Sequence, residues 1–190
     1  MKNLNIGFAF TGSFCTFHKV LPVLEKISES NNVTPIFSYS VRDTDTRFYK
    51  AADFAYDVEM ITDKKPITTI AEAEPIGPKN LLDLLIIAPC TGNTLTKLNH
   101  AITDTPVLMA AKATLRNNKP VLIAISTNDG LSGNARNFGD LINKKFVFFV
   151  PFEEDDPAKK PNSLVADFNM LIEAAEAALE NRQLQPVIKG

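Results

Sequence analysis

Five short runs of apolar residues recur along this chain: Leu4 to Phe10, Val33 to Ser38, Leu84 to Ala88, Val121 to Ile125 and Phe146 to Val150. They are apolar at consecutive positions, not at alternating ones, so strands built from them need cover on both faces. The cover is encoded between them. Phe17 to Glu29 carries Val20, Leu21, Leu24 and Ile27 on one helical stripe, Thr94 to Ile102 has Leu95 and Leu98, and Pro106 to Arg116 has Leu108, Ala111 and Leu115. Strand and helix in alternation predict an α/β, three-layer Rossmann-like (flavodoxin-like) doubly wound parallel sheet. The second run is interrupted by Pro35 and is the weakest strand. A closing helix is expected over Ser163 to Glu180, capped by Asn162 or Ser163. Arg42 to Tyr56 does not fit the alternation, and Asp63 to Pro78, with three prolines, reads as irregular.

The 190 residues suffice for one domain, taken as 1–190. A net charge of −2 provides no broad basic field, so nucleic acid is not an expected partner. Cys15 and Cys90 lie far apart without metal-ligand spacing, which predicts neither a disulfide framework nor a metal site and fits a reducing cytoplasm. No apolar stretch approaches the roughly 20 residues of a membrane span.

Chemistry is expected where the strands end. The first strand runs into Thr11-Gly12-Ser13 and then a helix, whose free N–H groups and dipole favour an anion such as phosphate. The alternative is a glycine that only turns the chain and a Ser13 or Thr16 that only caps. Ser40, after the second strand, either donates to the same phosphate or is a surface turn residue. The third run breaks at Ala88-Pro89-Cys90-Thr91-Gly92-Asn93-Thr94, placing amides and hydroxyls where a flat heteroaromatic ring can be held. A capped turn explains Thr91 and Thr94 without a ligand, but leaves Asn93, Lys97 and Asp104 unexplained. Cys90 either touches the ring or packs as a small buried residue.

Pro89, Asn93, Thr94, Lys97 and Asp104 fall in a P-x-x-x-N-T-x-x-K-x-x-x-x-x-x-D stretch. It resembles the flavoprotein family that includes lantibiotic cysteine decarboxylases, phosphopantothenoylcysteine decarboxylase and flavin prenyltransferases. The resemblance implies FMN, with its phosphate at Gly12, Ser13 and Ser40 and its ring near Pro89, Cys90, Thr91, Asn93, Thr94, Lys97 and Asp104. It also implies that Lys160 to Leu164 open the last helix, and that Ser126 to Phe138 form a substrate-side loop. There Arg136, beside Asn134, could pair with a carboxylate or be a surface arginine on a helix start. The acidic run Glu153 to Asp156 is expected as a solvated loop.

The family's decarboxylases carry a histidine before the third strand, and this chain has none between His18 and His100. Both of its histidines are expected at the surface, and no catalytic residue is assigned. The expectation drawn from the resemblance is therefore an FMN-binding component of an enzyme that oxidises a cyclic dihydropyridine dicarboxylate. It would work with a separate NAD(P)-binding partner chain and build homo-oligomers, as family members commonly do. A flavin-free structural or regulatory role, and a decarboxylase or prenyltransferase, stand as the alternatives.

Overall fold

The computed structural model describes residues 1–189. Five parallel strands, β1 (Asn5–Phe10), β2 (Asn32–Phe37), β3 (Leu84–Cys90), β4 (Val121–Thr127) and β5 (Val147–Phe149), lie in the order 2-1-3-4-5. That is the flavodoxin-like doubly wound order. All five apolar runs form strands, and β1, β3 and β4 are buried along nearly their whole length. β2 tolerates Pro35 because it is the edge strand. Phe37 N–H and the Pro35 carbonyl point outward to Ile67, so the N–H that proline lacks falls on the side away from β1.

Two further strands, β6 (Phe152–Asp156) and β7 (Lys160–Ala166), form an antiparallel hairpin, and β7 pairs antiparallel with the last residues of β4. The sheet is therefore mixed, with seven strands. This corrects two expectations. Asn162 and Ser163 do not cap a helix: they lie inside β7, where the Ser163 hydroxyl donates to the Thr127 carbonyl at 3.1 Å and Leu164 and Ala166 turn inward. The acidic run is strand β6, with Phe152 buried while Glu153, Glu154 and Asp155 stay exposed.

The helices are α1 (Phe17–Ser28), α2 (Tyr39–Asp43), α3 (Ala51–Thr62), α4 (Ile70–Ala73), α5 (Gly92–Asn99), α6 (Pro106–Arg116), α7 (Ala135–Leu141) and α8 (Leu171–Leu179). α1 and α8 cover one face of the sheet, joined by α3 over β2, and α6 crosses the other face with α4 and α5 beside it. α6 starts cleanly because Pro106 occupies its first turn and Thr105 Oγ1 accepts from Leu108 N–H at 3.2 Å. The closing helix is shorter than expected, beginning at Leu171 after a 3₁₀ turn whose cap is Asp167. Among the described residues no helix is long and apolar enough to cross a membrane.

α3 begins in the stretch Arg42 to Tyr56 that did not fit the alternation and runs on to Thr62. Its inward side is Phe54, Val58 and Thr62, and Phe54 meets Phe17 at 4.2 Å, Phe10 at 5.1 Å and Phe37 at 5.5 Å between ring centroids. These rings tie α3 to β1, β2 and α1. Phe54→Ala is expected to destabilise the protein by about 3–5 kcal/mol, read as a lower denaturant midpoint at unchanged m-value.

Candidate functional site

Because β1, β3 and β4 run parallel, their carboxyl ends open on one edge of the sheet, the usual place for a ligand in a doubly wound fold. The buried Thr11 joins the first two ends. Its hydroxyl donates to the Pro89 carbonyl at 2.8 Å and accepts from Thr91 N–H at 2.9 Å. Ser13 joins the first to β4, its hydroxyl donating to the Ser126 carbonyl at 2.8 Å. Above this floor is a cleft of about 760 Å³. Its floor and sides include Gly12 to Thr16 after β1, Thr91 to Asn93 after β3, and Ser126 to Asp129, which end β4 and begin the loop after it. His18 and Lys19 of α1 form part of one wall, and Asp155, Lys160 and Ser163 to Val165 of the hairpin form another.

The helix starts facing this cleft differ. Ser13 and Thr16 precede the 3₁₀ turn Phe14–Thr16 and α1 respectively, and neither makes a side-chain capping bond; the Thr16 hydroxyl donates to the Ser13 carbonyl instead. The backbone itself closes this start, Thr16 N–H donating to the Ser13 carbonyl at 3.1 Å and Phe17 N–H to the Phe14 carbonyl of the 3₁₀ turn. Ser40 stands close by, since a Cβ built on Gly12 would lie 3.0 Å from its hydroxyl. α5, in contrast, is capped by its own sequence, Thr91 Oγ1 accepting from Thr94 N–H at 3.3 Å.

The Flavoprotein family matches residues 1–163. This chain belongs to the Flavoprotein family. It is 48% identical over 189 residues to the B subunit of dipicolinate synthase from Bacillus subtilis (strain 168), an alignment spanning 99% of this chain and 94% of that protein. The crystal structure of the dipicolinate synthase B subunit from Bacillus halodurans C matches with a TM-score of 0.91 at 46% identity, covering 100% of this chain and 97% of that one. The FMN-dependent cysteine decarboxylase SpaF shares the fold, with a TM-score of 0.66 at 19% identity over 95% and 97% of the two chains.

In this flavoprotein Gly12, Ser13, Thr91 and Asn93 line the cleft together, with Ser40 behind Gly12. Pro89, Cys90 and Thr94 are buried beneath it. Burial pushes the Cys90 thiol pKa up, and the group sits 3.7 Å from the Thr91 carbonyl, so the packing alternative describes its side chain. Lys97 and Asp104 bind each other at 2.7 Å, away from the cleft lining. Asn134 is 3% exposed, with its amide spent on Asp129 at 2.8 Å and its carbonyl on Thr96 at 2.8 Å and Asn137 at 3.0 Å. Arg136 stands on the outer face of α7 with its side chain 87% exposed, 3.7 Å from Asp140 and outside the cleft lining. His18, expected as an ordinary surface residue, is exposed and also lines the cleft.

Several residues were not singled out from the sequence. Asp129 receives the Thr127 hydroxyl and the Asn134 amide, and Gly92 is packed against all three. A Cβ on Gly92 would come closer than 3.0 Å to Asn134 Nδ2, Asp129 Oδ1 and Thr127 Oγ1. The signal was present in the Asn-Asp-Gly turn after β4, but a partner 37 residues away in sequence is invisible to local pattern. Gly92→Ala is expected to cost about 1–3 kcal/mol through overpacking. Thr11→Val, which leaves the buried Pro89 carbonyl and the Thr91 N–H without their partner, is expected to cost about as much. Chemical denaturation of both variants checks these values.

Proposed function

We propose that this flavoprotein is the FMN-binding B subunit of a dipicolinate synthase, oxidising dihydrodipicolinate to dipicolinate during sporulation. It would work in the cytoplasm as a homo-oligomer, together with the enzyme's NAD(P)-binding A subunit. The family membership and the near-full-length similarity to two B subunits support the reaction class. The observation that carries the cofactor is the 3₁₀ turn leading into α1, which has no side-chain cap and lines a cleft beside Gly12 and Ser40.

The residues present fit such a group. N–H groups at the start of the 3₁₀ turn and the Ser40 hydroxyl would hold the phosphate, and Gly12 leaves the room for its approach. Thr91 and Asn93 would face the ring, with Pro89, Cys90 and Thr94 as the packed layer beneath. Lys97 and Asp104 would act through the seating of α5. Bound FMN supplies a two-electron acceptor. The protein's part is to orient the substrate against it and exclude water from the floor, where Thr11 is already satisfied by Pro89 and Thr91, and Ser13 by Ser126.

One observation favours the flavin-free alternative: the single hydroxyl proton of Ser13 is committed to the Ser126 carbonyl, so it has none to give a phosphate. Decarboxylation is disfavoured because the chain has no histidine in the segment between α1 and β3. An absorbance spectrum of the protein from its native host separates the first two readings, because oxidised flavin is yellow. Gly12→Val should crowd Ser40 and lower flavin content, and retention equal to wild type would count against the site. Substrate oxidation should require the two chains mixed, whereas vigorous cysteine-peptide decarboxylation by this chain alone would overturn the assignment.

A further inference from the structure

A substrate with two carboxylates needs a cation in the cleft, and the cation expected from the sequence is not there. Arg136 points away on α7, beside Asp140. The basic groups that line the cleft are His18 and Lys19 on α1 and Lys160 on β7. The first two stand on the helix whose start is assigned to the phosphate. Lys160 stands on the hairpin wall.

The hairpin's root is firm and its far end is free. Val165 and Leu164 pair with Ser126 and Thr127 at the end of β4, and Ser163 donates to the Thr127 carbonyl. Lys160 lies three residues further along β7, about 10 Å beyond that anchor. There its ammonium pairs with Asp155 of β6, and it lines the same cleft as Cys15 in the 3₁₀ turn after β1. It therefore faces the cleft from the hairpin wall.

We propose that Lys160 is the residue that recognises a substrate carboxylate, and that Asp155 occupies its ammonium until the substrate arrives; this rests on the dicarboxylate reading above. The Lys160 and Asp155 side chains are 55% and 34% exposed, and a pair so placed contributes little to stability. Exchanging one carboxylate for another at Lys160 is nearly balanced in energy. What tips it is the cleft: a substrate seated there loses water around its carboxylate, which strengthens its charge-assisted hydrogen bond to Lys160. A lysine is a point charge on a flexible stem, suited to swinging between two acceptors where a fixed guanidinium fork is not. Specificity is then for a flat ring bearing a carboxylate on the side that faces β7.

The test uses the full chain mixed with its NAD(P)-binding partner, measuring kcat, KM for the dihydro-dicarboxylate and flavin content. Lys160→Gln should raise KM on the order of tenfold with kcat and flavin content close to wild type, and Lys160→Arg, which keeps the charge but not the flexible point donor, should recover only part of the loss. Asp155→Asn, which removes the competing carboxylate, should lower KM. An unchanged KM for Lys160→Gln in an active mixture overturns the inference and leaves the proposed function standing. A KM rise on Arg136→Ala with none on Lys160→Gln also overturns it, in favour of α7. An inactive wild-type mixture would overturn the proposed function itself, and the inference with it.

Discussion

Strands β1, β3 and β4 are shut away from water on both faces, and the rest of the molecule follows from covering them. From Ile6 to Phe10, across all of β3 and from Val121 to Ser126, every residue is buried. Each large apolar side chain placed there gains roughly 1.5–3 kcal/mol over an exposed position, but only if helices close both layers. α1, α3 and α8 on one side and α4 to α6 on the other do so. Right-handed crossovers between parallel strands then bring the carboxyl ends of all three to one edge.

That edge carries a cost, because the polar backbone emerging from a dry sheet must find partners. The side chains of Thr11, Ser13 and Ser126 meet it with bonds between segments 78 to 113 residues apart. A second network, Thr127 and Asp129 with Asn134, Thr96 and Asn137, fixes α5 against the loop after β4. The floor of the cleft is thereby rigid. Its hairpin wall is built otherwise, from exposed charges on two strands held mainly at their root, and so it is the part able to respond to a ligand.

Much of this was legible. The five strands, the α1 stripe and the span of α6 could be read because packing on both faces leaves an unbroken apolar signature. The cluster of Gly12, Ser13, Thr91 and Asn93 could be placed because loops at the ends of neighbouring parallel strands must adjoin. α3 was obscured. Its inner side is Phe54, Val58 and the polar Thr62, while Tyr56 and Met60, 64% and 66% exposed, blur the stripe, and Lys50 before it offers no side-chain cap. The β6–β7 hairpin was obscured for a different reason: Glu153 to Asp156 have no strand signature, and their extended form comes from pairing with Leu164 and its neighbours.

The amino-acid sequence by itself determined the layered α/β architecture and the chemistry available at its strand ends, because burial and turn formation are written in adjacent residues. Only the tertiary structure decided which side chains are free to act. It turned Asn134 and Cys90 inward, paired Lys97 with Asp104, left Arg136 on an outer face and set Lys160 in the hairpin wall of the cleft. The physical reason is that a polar side chain's partner is chosen by proximity in space. In this fold those partners come from segments that share no local pattern.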